Sequence, residues 1–278
     1  MVIDFHTHCF PDALAPRAMG QLTDTISAMN ITPHTDGTAD GLLRSMHHHG
    51  IHRSVICNIA TNARQMHKVN DFAIYLKETH GDELIPLGSI HPHAEDPAAE
   101  LARLKAAGIC GIKLHPDYVS IDFDHPDFDP ILGLCEASNV FVITHAGFDP
   151  LSPNHLHCTP AMVRRVMDRH PQLKLVVAHM GGMNCEEEAL SLLCGRNIYL
   201  DTSLLTYRPD KEKLMHKILL SHHPDRLLFA TDTPWTDAGG EMEAIKRAPL
   251  SEEMKRKIFF ENALNLLRSC HMEVEVMS

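Results

Sequence analysis

The chain has no apolar run near the roughly 20 residues that a membrane-spanning helix needs. Its first residues, Met1-Val2-Ile3-Asp4-Phe5-His6, carry neither a basic stretch nor the apolar core of a secretory signal. A spanning or exported protein is therefore not expected, and a cytoplasmic one is. Positive charge is also in short supply: 25 Lys and Arg stand against 36 Asp and Glu, a formal net charge of −11. A nucleic-acid surface needs clustered Lys and Arg that this balance does not offer. No two cysteines stand in C-x-x-C spacing, and a chain of 278 residues does not depend on cross-links for a core. The eight cysteines are expected as free thiols in a reducing compartment, with Cys57 and Cys110 as small core residues. Internal repeats, linkers and low-complexity segments are absent, which leaves one domain over 1–278. A doubly wound dinucleotide fold would place a Gly-rich phosphate loop after its first strand. That loop is missing too; His6-Thr7-His8-Cys9-Phe10-Pro11 stands in its place.

What the chain does have is a recurring short apolar segment. Val2–Phe5, Ser54–Ile59, Leu84–Ile90, Gly111–Leu114, Val140–Thr144, Leu173–Ala178, Ile198–Leu200 and Arg226–Ala230 make eight. Several are nearly continuous apolar runs, as parallel strands covered on both faces require. Helical patterns fall between them: Gly41–His49, Asn62–Thr79, Pro97–Ala107, Glu186–Cys194 and Lys211–Ser221, with helix starts at Asp129-Pro130 and Thr159-Pro160. Ser251–Arg268 reads as two closing helices. Strand and helix alternating eight times predict the α/β class and a closed (β/α)8 barrel. Pro11–Asp40 is long for a first strand-to-helix connection and is expected to form a lid or an extra helix.

Histidine is abundant, at 22 residues, so position must separate the useful ones from the rest. His47-His48-His49 reads as a solvated cluster at a helix C-terminus, and His222-His223 as an exposed loop. Four other sites differ. The first strand ends in His6-Thr7-His8, and alternation puts both imidazoles on one side. The fifth ends in Thr144-His145-Ala146-Gly147, the sixth in Ala178-His179-Met180-Gly181-Gly182, and the eighth in Ala230-Thr231-Asp232. In a parallel barrel these ends meet at one mouth, where catalytic groups sit. Imidazole and carboxylate ligands with one open position hold a divalent ion and its water. The ion lowers the water's pKa towards about 7, and a neighbouring carboxylate accepts the proton.

Asp-Phe-His-Thr-His, Thr-His-Ala-Gly, Ala-His-Met-Gly-Gly, Ala-Thr-Asp-Thr-Pro-Trp and the late Glu261-Asn262-Ala263 resemble the amidohydrolase superfamily. The nearest branch is the amidohydrolase-2 group, which includes aminocarboxymuconate-semialdehyde decarboxylase; the resemblance runs from residue 2 to about 268. It implies a metallo-dependent-hydrolase barrel with His6, His8, His145 and Asp232 as metal ligands. His179 is implied as a ligand of a second metal or as a catalytic group beside the metal water, and Asp232 also as the proton acceptor. The ion is expected to be zinc, with manganese, iron or cobalt as alternatives, and one ion rather than two. A homodimer is implied by resemblance alone.

Substrate contacts are expected from Lys113 and His115 on the fourth strand, and from Arg208 and Trp235. Lys113 stands open between a substrate-binding ammonium, a carboxylated bridge between two metals, and a structural ion pair. Arg208 is read as a clamp for a substrate carboxylate. His91, His93, Asn58 and Tyr207 are weaker candidates. The leading functional reading is hydrolysis of a small amide, lactone or ester. The alternatives are nonoxidative decarboxylation of an unsaturated or aromatic acid, and a noncatalytic metal-binding barrel. Fold and ligands alone do not separate them.

Overall fold

Eight of the apolar runs form short parallel strands in a computed structural model that describes residues 1–272. They are β1 (Ile3–Thr7), β2 (Arg53–Ile56), β3 (Leu84–Pro86), β4 (Gly111–Leu114), β5 (Phe141–Thr144), β6 (Leu175–Val177), β7 (Tyr199–Asp201) and β8 (Leu227–Leu228). β1 to β3 pair in order, as do β4 to β8. Single bridges join the two sets into a ring. Gly88 N–H donates to Gly111 O (3.1 Å) and Lys113 N–H to Gly88 O (2.8 Å), while Phe5 N–H donates to Phe229 O and Asp232 N–H to His6 O, both at 2.8 Å. The barrel predicted from alternation is the fold observed.

Two apolar layers follow from strand alternation. Ile56, Ile112, Leu114, Val142, Val177 and Leu200 pack outward against the helices. Val55, Cys57, Phe141, Ile143, Val176 and Leu228 cluster with the last helix, Asn262–Ser269, through Ala263, Leu266 and Leu267. That helix sits at the start of β8: the Asn262 side chain donates to Pro224 O and Leu227 O, each at 2.8 Å. The strand C-termini are left open at the other end.

Helix boundaries shift where local capping decides. Helix Ala39–His49 starts earlier than its periodicity, because Thr38 accepts from Gly41 N–H. Helix Met66–His80 starts later, because Asn62 accepts from Gln65 N–H and uses the intervening residues as a turn. The long first connection contains the extra helix Ala15–Ile26. The predicted closing pair becomes Glu252–Arg256, one wide helical turn at Lys257–Glu261, and Asn262–Ser269. All eight cysteines are free, and burial pushes the Cys57 thiol up to about 12. No helix among the described residues is long and apolar enough to cross a membrane.

One histidine expectation fails. His222 is buried at 3% exposure rather than looped out. Its Nε2–H donates to Ile198 O (3.0 Å) and its Nδ1 accepts from Gly195 N–H (3.3 Å), so the ring pins the turn before β7. Burial lowers its pKa from 6.5 to about 4. The unfolded chain therefore binds the extra proton between these values, and stability is lost as pH falls through that window. We expect His222→Gln to remove about 2 kcal/mol of the destabilisation that wild type shows between pH 7 and pH 5, measured by urea unfolding. Equal pH dependence in both proteins would rule out the assignment.

Candidate metal centre

The mouth is built by residues at the ends of β1, β4, β5, β6, β7 and β8. β1 carries an irregularity that pure alternation does not foresee. Asp4 pairs with Ser54 and Thr7 with Ile56, so two residues, Phe5 and His6, stand opposite Val55. This bulge lets Phe5 join the inner core, 5.6 Å from Phe141, while His6 still faces the mouth. Asp4 is turned to the ring closure, where it accepts from Thr231 N–H (3.0 Å) and Thr231 Oγ1–H (2.6 Å). Burial pushes its carboxyl up to about 7. Asp4 thereby ties β1 to the segment that carries Asp232.

Two of the candidate residues sit in left-handed backbone. His179 has φ 56° and Asp232 φ 68°, and Met180 beside His179 has φ 57°. Each costs about 1–2 kcal/mol in a non-glycine residue. The glycines nearby have a separate reason: a Cβ on Gly147 would lie 2.1 Å from Met183 O.

A chain of hydrogen bonds orders the tautomers of His6, His179 and His145. Asp201, fully buried, accepts from His6 Nδ1–H at 2.9 Å through Oδ2. Its Oδ1 accepts from His179 N–H (3.0 Å), Ser203 N–H (3.1 Å) and Ser203 Oγ–H. With its hydrogen spent on Asp201, Ser203 Oγ accepts from His179 Nδ1–H (2.8 Å). His179 Nε2 then carries a lone pair and accepts from His145 Nδ1–H (3.0 Å). His8 is fixed separately, its Nδ1–H donating to Cys57 O (3.0 Å). In each neutral ring the lone pair then falls on Nε2, which in His179 accepts from His145 and in His6 faces Lys113.

Those lone pairs converge. His8 Nε2 lies 3.0 Å from Asp232 Oδ1, and His6 Nε2 lies 3.5 Å from the same oxygen. Two imidazole nitrogens thus flank one carboxylate oxygen, with His8 at hydrogen-bond distance from it. Ligands held tetrahedrally at about 2.1 Å from a metal stand about 3.4 Å apart, so the gap fits a divalent ion. The pKa shifts agree with a ligand set. Burial, reinforced by Lys113, holds His6 well below its ordinary value. Burial would raise Asp232, but the fields of His6 and His8 outweigh it and hold its carboxyl below the usual range.

The structure brings His6, His8 and Asp232 into one group, with the His179 ring stacked 5.3 Å from His6. His145 lies at the same mouth, against the His179 ring at 4.8 Å. Its Nδ1 is committed to His179, which turns Nε2 toward His115 and Asp149. Lys113 is buried at 1% exposure, and its ammonium donates to His6 Nε2 at 3.0 Å. Trp235 and Arg208 line a cleft of about 550 Å³ with Tyr207 and His34. The Arg208 fork, read as a carboxylate clamp, is already occupied by Asp210 (2.9 and 2.8 Å) and Asn184 (2.5 Å). His93 pairs with exposed Asp127, and Asn58 donates to Leu87 O, a structural bond. The sequence reading missed Asp4, Asp201 and Ser203. Asp201 ends an apolar strand as Asp232 follows one, and that shared pattern is the signal that could have found it.

If Asp201 sets the ligand tautomers, Asp201→Asn should weaken metal binding at His6, His8 and Asp232 by about 10–100-fold. Competition against a chromophoric chelator measures this, and unchanged affinity would show that the ligands orient without it.

The comparisons bear on the same residues. The amidohydrolase family model matches residues 3–269. No curated protein sequence matches the chain. Among solved structures, an uncharacterised TIM-barrel protein from Bordetella bronchiseptica is 20% identical, with a TM-score of 0.77 over 97% of this chain and 99% of that one. The 5-carboxyvanillate decarboxylase of Sphingomonas paucimobilis is 16% identical, with a TM-score of 0.67 over 96% and 98%. A dihydroxybenzoic acid decarboxylase from Polaromonas sp. JS666, solved with manganese and 2-nitroresorcinol, is 18% identical, with a TM-score of 0.71 over 96% of each chain. At such identities the likenesses establish the barrel. The family model spans nearly the whole described chain, including every strand end that carries a candidate ligand, and so this chain belongs to the amidohydrolase family.

Proposed function

We propose that this protein is a metal-dependent, nonoxidative decarboxylase of an aromatic or unsaturated carboxylic acid. The observation that carries the reading is Lys113. It is a buried ammonium with one acceptor, His6 Nε2, and it makes no salt bridge among the described residues. A buried cation calls for an anion, and a carboxylate substrate supplies one where a neutral lactone or amide does not. The names of the similar structures, 5-carboxyvanillate and dihydroxybenzoic acid decarboxylases, support the same substrate class. This places decarboxylation ahead of hydrolysis, the reading favoured by sequence alone.

His6, His8 and Asp232 would hold the ion, with Lys113 giving up His6 Nε2 and so being freed for a substrate anion, and imidazole with carboxylate suits manganese, zinc, iron or cobalt. The manganese of the Polaromonas relative favours that metal over zinc. A bound divalent ion would supply a positive centre that draws substrate oxygen and spreads developing negative charge. Lys113 orients the carboxylate. When the bond from carbon to the carboxylate breaks, CO2 leaves and the electron pair stays on carbon, which takes one proton. That proton comes from solvent, and Asp232 and His179 are the titratable groups of the site that could relay it. Trp235 and Tyr207, which line the neighbouring cleft, suit a flat ring.

Hydrolysis is the second reading, and the depressed Asp232 carboxyl favours it, because an ionised carboxylate can take a proton from water. Assay of hydroxybenzoates and their carboxylated methoxy analogues for CO2 release decides between the two. We expect CO2 with one solvent deuterium in the product, loss of turnover on chelation, and recovery with manganese. Asp232→Asn should lower kcat by about 10²–10⁴-fold. Turnover of lactones or amides with no CO2 from any acid would establish hydrolysis instead. Tight ligand binding with no turnover in either panel would leave a noncatalytic metal-binding barrel.

A further inference from the structure

The loops that follow β7 and β8 are joined by a buried carboxylate that the proposed reaction does not use. Glu241 lies in the helix Ala238–Arg247, beyond β8, and is 1% exposed. Its Oε2 accepts from Leu205 N–H (3.0 Å). Its Oε1 accepts from Thr206 N–H (3.1 Å) and Thr206 Oγ1–H (2.6 Å). All three donors are uncharged. Burial pushes the carboxyl up to about 8, against the pull of these bonds. A carboxylate buried without a cation is costly, and packing alone would be met by an apolar side chain.

What Glu241 holds is a strained turn. Leu204 has φ 61°, a left-handed conformation that is disfavoured for leucine. Beyond it, two successive amides, those of Leu205 and Thr206, face the same carboxylate, as the backbone does in anion-binding concavities. Tyr207 N–H donates back to Leu204 O (3.1 Å) and closes the turn. Without the carboxylate, two amides and a hydroxyl lose their acceptor while the strain at Leu204 remains.

The turn stands between two parts of the site. Before it is Ser203, whose Oγ accepts from His179 Nδ1–H (2.8 Å). After it are Thr206, Tyr207 and Arg208, which line the cleft of about 550 Å³ together with Trp235. Trp235 stands just before the helix that carries Glu241, a helix capped by Asp237 accepting from Gly240 N–H (3.0 Å). One side chain thus ties the wall that carries Tyr207 to the wall that carries Trp235. Glu243 on the same helix differs: it is exposed and pairs with Lys246 at 2.7 Å.

We propose that Glu241 is a positioning residue for the substrate. It fixes the loop after β7 so that Thr206 and Tyr207 form, with Trp235, the subsite for the substrate's flat ring. The placing of a ring there rests on the decarboxylase reading; the tie between the two loops does not.

Trp235 is the only tryptophan in the chain and is half-buried, so its fluorescence reports on the cleft. Manganese-loaded wild type, Glu241→Gln and Glu243→Gln are titrated with 2-nitroresorcinol, the inhibitor bound to the Polaromonas relative. Trp235 is also quenched with acrylamide in the free proteins. A glutamine keeps an oxygen for Thr206 but offers Leu205 N–H no acceptor. We expect Glu241→Gln to bind 2-nitroresorcinol about tenfold more weakly, the scale of one lost hydrogen bond to a charged group. Its Trp235 should be more open to acrylamide, with manganese content and cooperative urea unfolding retained. Glu243→Gln should match wild type throughout. Unchanged affinity in Glu241→Gln overturns the proposal even if its urea midpoint falls, because the role is then structural alone. Wild type that does not bind 2-nitroresorcinol overturns the ring subsite and counts against the decarboxylase reading; greater acrylamide quenching in Glu241→Gln then still establishes the tie, and equal quenching overturns it as well. Where Glu241→Gln does not fold, Thr206→Val, which removes only the hydroxyl donor, is held to the same two readouts.

Discussion

A single buried carboxylate, Asp201, orders the mouth of this barrel. It donates nothing and accepts from one imidazole, one hydroxyl and two backbone amides. Through Ser203 its influence passes to His179 and on to His145. A histidine offers a metal one lone pair or none, depending on where its proton sits, so the carboxylate behind His6 decides which of its nitrogens faces the mouth. The arrangement depends on burial. In water each of these rings would exchange tautomers freely, and the bare nitrogens would not all face inward.

The scaffold supplies the remaining order by ordinary packing. The strand ends converge because parallel strands close into a ring, and the ring closes because Gly88 bridges β3 to β4 while Asp4 and the strand amides draw β8 against β1. The bulge in β1 reconciles two demands on adjacent residues, since Phe5 fills the core and His6 faces the mouth. The cation at Lys113 then sits at the floor of a site whose walls are imidazoles and carboxylates.

Much of this is legible in the sequence. Parallel strands covered on both sides are near-continuous apolar runs, so all eight can be read directly, and a metal-competent residue just past such a run marks a mouth position. Strand ends are less legible: Leu84–Ile90 reads as one run, yet β3 stops at Pro86. Histidine burial is not legible at all from a single residue. His222 is followed by His223 and looks like a solvated pair, but a carbonyl on another turn captures its ring. The orientation of the His145 ring is also hidden. Alternation says which side of a strand a residue faces, whereas a hydrogen bond to His179 decides where the free nitrogen points.

The left-handed backbone at His179, Met180 and Asp232 has an evolutionary consequence. Drift toward a more stable fold would favour glycine or asparagine at these positions, which relax the backbone and, at His179 and Asp232, remove the candidate site's side chain in one step. Helix packing at the opposite end of the barrel faces no such conflict. Selection for durability and selection for chemistry therefore act on opposite ends of the same eight strands, and relatives that have lost their activity should show it first as relaxed residues after β6 and β8.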